Sequence, residues 1–175
     1  MSDRPRRLRG FSYKGQYRYF VTVCTHERVP VFEDAVHASW VMTQIQQLFG
    51  PKHFAVIAYC VMPDHVHLLL EGLNADADLR ATMHSWKQKT GFTWSRRSRS
   101  RLWQEGFYDY VLRDYDSVPG VMRYIVDNPV RRGLSSPESP YPFVGSSGYA
   151  RAELDKSSAT WRPTCRFIDA TKRSS

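Results

Sequence analysis

Two apolar segments of strand length, Phe54–Val61 and a run beginning at His65, are separated only by Met62-Pro63-Asp64. A break that short joins strands as an antiparallel hairpin, because a parallel crossover needs a dozen residues or more. What flanks the hairpin then decides the architecture. Upstream, residues 17–25 are dense in aromatic and β-branched side chains and read as a strand. From Asp34 the period changes: Val41, Ile45, Leu48 and Phe49 fall at helical spacing, with Asp34 as N-cap and Gly50-Pro51 as stop. Downstream, Asp76 or Asp78 caps a second helix with Leu79, Met83 and Trp86 on one side and Lys87 and Lys89 on another, predicted to fade at Gly91. The serine-arginine block 95–101 reads as a loop, and 107–112 as a further strand. The order strand, helix, strand, strand, helix, strand is that of an α+β chain: a ferredoxin-like (RRM-like) antiparallel sheet with helices packed on one face.

A third helix follows. Asp116 or Ser117 can cap it, Pro119 suits its first turn, Val118, Val121, Met122 and Ile125 form its apolar stripe, and Pro129 disfavours helix at Asn128 and beyond. After Ser135, Ser, Pro and Gly dominate and periodicity is lost. The expected division is a domain over 1–135 and an irregular C-terminal extension over 136–175. Tyr141-Pro142-Phe143 and Trp161-Arg162-Pro163 are aromatic anchors that could pack on the domain.

Charge points to the partner. The formal charge of +8 comes from 25 basic and 17 acidic residues, and the excess is clustered. Arg4, Arg6, Arg7 and Arg9 form a basic arm; Arg96, Arg97, Arg99 and Arg101 a second block; Arg131 and Arg132 a third. Three arginine-rich blocks in so short a chain favour a polyanion, and nucleic acid over an anionic membrane, since no basic amphipathic helix is present. No apolar run approaches membrane-spanning length and no signal peptide is evident at the N-terminus, so a cytoplasmic protein is expected. Cys24, Cys60 and Cys165 are scattered and odd in number, which suits reduced thiols rather than a disulfide framework or closed zinc site.

Two constellations carry chemistry. In the strand after the turn, His65 and His67 point to one face and Val66, Leu68 and Leu70 to the other. The apolar face is expected to be buried and the histidine face to be accessible. Such a pair can chelate a divalent ion, hold a phosphate, or simply be polar residues on the wet side of a sheet. On the third helix, Tyr124 and Asn128 lie one turn apart on one edge of the apolar stripe, with Gly120 a turn before them. Seen alone they are an ordinary half-buried tyrosine and an asparagine helix stop. Taken with the histidines they describe a phosphodiester-cleaving site, in which a tyrosine hydroxyl attacks the phosphate and a cation steadies the phosphate oxygens. His65, His67 and Asn128 would be the protein ligands; imidazole donors suit Mn or Zn better than Mg, so the ion stays open at this level.

The segments Met62-Pro63-Asp64-His65-Val66-His67-Leu68-Leu69, Trp103 to Asp109, and Tyr124-Ile125-Val126-Asp127-Asn128-Pro129-Val130-Arg131-Arg132-Gly133-Leu134 resemble the single-tyrosine HUH transposases, and within them the REP-associated tyrosine transposases. The resemblance runs in order from about Gly10 to Leu134. It implies a metal-dependent nuclease and strand transferase that acts on single-stranded DNA with an adjoining hairpin from repetitive extragenic palindromes (REP elements) and forms a 5′-phosphotyrosine. By motif, Tyr124 is the nucleophile, and His65 and His67 bind Mg2+ or Mn2+. Asn128 stands where the classical relatives carry a metal-ligating glutamine. The arm Arg4 to Arg9, Arg96 to Arg101, Arg131, Arg132 and Lys87 become candidate DNA contacts, and Tyr17, Tyr19, Trp103, Phe107 and Tyr108 candidates for base stacking. A monomer and a homodimer are both compatible. The alternatives are a replication initiator or relaxase of the same chemistry, a non-catalytic RRM-like binder of single strands, and a zinc hydrolase using His65 and His67 with Glu71.

Overall fold

The computed structural model describes residues 10–48, 53–146 and 161. Strands β1 (Arg18–Cys24), β2 (Phe54–Met62), β3 (His65–Gly72), β4 (Tyr108–Val111) and β5 (Val144–Ser146) form one antiparallel sheet in the order β4-β1-β3-β2-β5. Helix α1 (Ala35–Leu48) lies between β1 and β2, α2 (Leu79–Ser98) between β3 and β4, and α3 (Val118–Val126) follows β4. A one-turn helix, α4 (Asn128–Arg131), comes directly after it. This is the α+β ferredoxin-like arrangement, extended at one edge by β5.

Met62 pairs with His65, so Pro63 and Asp64 alone make the hairpin turn. The pairing places β3 at the sheet centre, and both of its faces are used. Val66, Leu68 and Leu70 pack with Ala38, Val41 and Ile45 of α1 and Leu79, Met83 and Trp86 of α2. On the opposite face, Leu69 packs with Phe20, Ala58, Cys60 and Met62 under Val121, Met122 and Ile125 of α3. The two helices of the split unit therefore share one face, and α3 covers the other. A register shift between Val56 and Ala58 lets Ile57 and Ala58 both serve the α3 side.

Local caps follow the residue types. Asp78 accepts a hydrogen bond from Ala81 N at 3.0 Å, and Ser117 accepts one from Gly120 N at 3.1 Å. Two local expectations are corrected. Helix α2 does not fade at Gly91: it continues to Ser98 and is capped by Arg99 in the left-handed region at φ 54°, so Ser95 to Ser98 are helical rather than loop. The reason is tertiary: before the glycine, Thr90 accepts a 2.7 Å hydrogen bond from Trp103 Nε1 and the Trp86 ring lies 5.0 Å from that of Trp103, and after it Trp94 packs on His37 at 4.8 Å, so the helix is pinned on both sides of Gly91. Nor does Pro129 end helix: it sits in the first turn of α4, where its missing N–H costs nothing. In the extension, the Tyr141 hydroxyl donates to the Val61 carbonyl at 2.7 Å and β5 pairs with β2.

A Cβ on Gly91 would meet only Trp103 Cδ1 at 3.8 Å, ordinary contact. Gly91→Ala should therefore stabilise the protein by about 0.5–1 kcal/mol through lost chain entropy in the unfolded state. Urea denaturation reads this directly, and a lower midpoint would show that the helix is strained at this point.

Candidate active site

The histidine face is not the wet side of the sheet: His65 is 2% exposed and His67 fully buried, because α3 and its aromatic neighbours lie across it. Buried imidazoles need partners, and strand pairing supplies them. Thr22 is opposite His67 in the β1–β3 register, and its hydroxyl lies 2.8 Å from His67 Nδ1. Asp64 in the turn accepts from His65 Nδ1 at 2.6 Å, and Arg28 holds the other carboxylate oxygen of Asp64 at 3.4 Å. The remaining nitrogens, the two Nε2 atoms, face each other at 3.1 Å.

With Nδ1–H given to Asp64, His65 presents a bare Nε2 lone pair. If His67 likewise donates Nδ1–H to Thr22, two lone pairs meet at 3.1 Å and a cation between them removes the repulsion; in the other tautomer His67 donates to His65. Ligating histidines with their second nitrogens tied to a carboxylate and a hydroxyl are the usual arrangement at metal sites. Both rings are neutral. Burial lowers the pKa of His65 against the opposing pull of Asp64, and burial, then the neighbouring His65, Arg131, Arg28 and Arg132, push His67 well below its usual value.

Tyr124, half-buried, rests against this pair from α3: its ring centroid is 5.9 Å from that of His67, 5.8 Å from Phe20 and 5.4 Å from Trp161. Asn128, 4% exposed, begins the next turn. Arg131 and Arg132 lie on the same side, close enough to act on the histidines through their charge. The helical spacing thus delivers the tyrosine to the histidine face.

Other candidates fall elsewhere. Arg96, Arg97, Arg99 and Arg101 are exposed, but at the end of α2, which covers the opposite face. Lys87 is corrected: its ammonium donates to the carbonyls of Gln104 (2.7 Å) and Gly106, so it holds the 104–106 loop to α2. Tyr19, Trp103 and Phe107 are buried in the α1–α2 core rather than presented for stacking; Tyr17 is 43% exposed, and Tyr108 packs on Phe20. Glu71 lies on the histidine face beyond Leu69 and is tied to Arg18 at 2.6 Å, a commitment that counts against the zinc-hydrolase alternative. Arg4, Arg6, Arg7, Arg9 and Cys165 lie outside the described residues. Thr22, Asp64 and Arg28 went unnoticed in the sequence. Asp64 sat in the motif itself, whereas Thr22 becomes visible only through the β1–β3 register.

A histidine whose pKa is lowered in the fold is protonated more readily in the unfolded chain, so stability is fully present above the unfolded value near ~6.5 and is lost as pH falls below it. The melting temperature should drop between pH ~7.5 and ~5.5, and His67→Gln should flatten that slope. An unchanged slope in the variant would place the acid sensitivity elsewhere.

The family model for IS200-like transposases matches residues 13–128, from Tyr13, ahead of β1, to Asn128. An uncharacterised protein of Haemophilus influenzae is 23% identical over 156 residues, spanning 71% of this chain and 86% of its own. A provisionally named REP-associated tyrosine transposase from the same organism is 26% identical over 112 residues, 58% of this chain and 64% of that protein. The fold is similar to that of a REP-associated tyrosine transposase solved bound to a REP hairpin, with a TM-score of 0.62 and 20% identity over 79% of this chain and 81% of that one. Among the described residues no helix is long and apolar enough to cross a membrane. With the family model running through both the histidine strand and the tyrosine helix, the chain belongs to the IS200-like transposase family.

Proposed function

We propose that this transposase-family chain is a metal-dependent endonuclease and strand transferase for single-stranded DNA bearing a REP hairpin, working through a 5′-phosphotyrosine. The observation that carries the reading is the approach of the Tyr124 ring to His67 while the two Nε2 atoms face each other 3.1 Å apart. His65 and His67, joined by the carboxamide oxygen of Asn128, would hold Mg2+ or Mn2+, which when bound supplies a Lewis acid for the phosphate oxygens. Asp64 and Thr22 keep the imidazole nitrogens aimed, and burial keeps the rings uncharged and able to ligate. The Tyr124 oxygen attacks phosphorus in line; its bond to phosphorus forms, its proton is lost to solvent, and the phosphorus–O3′ bond breaks with the 3′-oxygen taking up a proton. Because the ester energy is kept in the phosphotyrosine, a 3′-hydroxyl can later reverse the step and rejoin DNA.

Arg132 is a candidate contact for the scissile strand, given its charge on the histidine side. Arg96, Arg97, Arg99 and Arg101 are candidates for the hairpin stem, supported by a sequence feature of α2: the whole helix carries Arg80, Lys87, Lys89, Arg96 and Arg97 with no Asp or Glu to offset them. The hairpin substrate is supported by likeness to a transposase solved with a REP hairpin.

Incubation with Mn2+ and hairpin-bearing single-stranded oligonucleotides should give an adduct resistant to denaturation. Tyr124→Phe should give none, EDTA should stop the reaction, and His65→Ala or His67→Ala should slow it by about 10²-fold or more. An adduct with Tyr124→Phe would sink the nucleophile assignment. Binding without an adduct by the wild type on every hairpin tried would favour the non-catalytic binder instead.

A further inference from the structure

The junction between α3 and α4 sets a cation on the tyrosine. Asp127 is the single residue between the two helices, and its N–H turns back to the carbonyls of Arg123 and Ile125, so the Tyr124 carbonyl lies at the gap between the two helical ladders. Arg131 reaches back into that gap: its Nη2 donates to the Tyr124 carbonyl oxygen at 2.6 Å. The same guanidinium lies 4.3 Å from the centroid of the Tyr124 ring. Capping a helix end needs only the hydrogen bond; a guanidinium over the ring is a second contact, made to the side chain that the helix exists to present.

Phe20, His67 and Trp161 meet the ring at centroid distances of 5.8, 5.9 and 5.4 Å, each steeply inclined to it, and Arg131 adds the cationic contact. Arg131 itself is exposed, and its charge bears on His67. A tyrosine that must attack phosphorus in line can lose about two orders of magnitude in rate to a misplacement of 1 Å. An arginine anchored to the backbone of the same residue restricts χ1 and χ2 of that tyrosine, and its attraction to the ring strengthens as negative charge grows on the phenol during attack.

We propose that Arg131 is the positioning residue of Tyr124: anchored on the Tyr124 carbonyl, it clamps the ring beside the histidine pair, and its main role is in the rate of attack rather than in holding DNA. The inference rests on the nuclease reading above.

The test separates rate from affinity. Adduct formation is followed under single-turnover conditions at saturating hairpin oligonucleotide with Mn2+, and binding is measured by anisotropy in a Tyr124→Phe background with and without Arg131→Ala. Arg131→Ala should slow the saturated reaction by about 10–10²-fold while changing the dissociation constant by less than about threefold. Arg131→Lys should recover part of the rate, Arg131→Met should not, and guanidinium ion at millimolar concentration should partly restore Arg131→Ala. In 19F spectra of protein labelled with 3-fluorotyrosine, with no DNA or metal present, the resonance absent from Tyr124→Phe should move toward that of free fluorotyrosine in Arg131→Met. If Arg131→Ala does not fold, the Lys and Met variants decide. A wild-type rate in the folded Ala or Met variant overturns the proposal, as does a loss confined to affinity, which would make Arg131 a phosphate contact. If the wild type forms no adduct, the nuclease reading falls first and this inference with it; a wild-type adduct with an unaffected variant overturns this inference alone.

Discussion

Two neutral imidazoles packed out of water with their Nε2 atoms 3.1 Å apart are the constraint on which the rest of the molecule depends. Burial opposes charge on them, and each outer nitrogen must find a partner inside the fold. That requirement is met from two directions: the β1–β3 register puts Thr22 across from His67, and the tight Pro63-Asp64 turn puts a carboxylate beside His65. A one-residue slip of β1 would turn Thr22 to the other face and leave His67 Nδ1 facing Val21 or Val23 instead. The donor pair is therefore as rigid as the centre of the sheet.

The sheet divides structure from chemistry. The face under α1 and α2 is a wide apolar and aromatic core in which Trp86, Trp103 and Phe32 interlock, and it provides the stiffness. The other face has a smaller core under α3, and there the Tyr124 ring lies against His67. Arginine charge is found on both sides, at the end of α2 and at the end of α3, so an anionic strand meets favourable potential whichever side it approaches.

Much of this was legible residue by residue. The hairpin, the order of helices and strands, and the caps at Asp78 and Ser117 depend only on neighbours within a turn or a strand step, which a sequence displays directly. The misreadings have one cause. Gly91 looked like a helix end because its support, Thr90 bonded to Trp103, comes from a segment thirteen residues on. Lys87 looked like a DNA contact because the carbonyls it holds belong to a loop with no pattern of its own. Strand β5 was invisible for the same reason: three residues, Val144–Ser146, pair only because Gly145 lets the backbone lie against the Tyr59 ring, where a Cβ would come within 2.8 Å.

By itself, then, the sequence determined that His65 and His67 share a face of a central strand, that Tyr124 sits on a helix with an apolar stripe, and that the strands form one antiparallel sheet. It could not say that the histidine face is buried, that Thr22 and Asp64 orient the rings, or that Arg131 sits over Tyr124. Periodicity is a property of a few consecutive residues, whereas burial and hydrogen-bond partners arise where distant segments are brought into register. Only the tertiary structure closes α3 over β3, and that closure sets the Tyr124 ring against His67, almost sixty residues earlier in the chain.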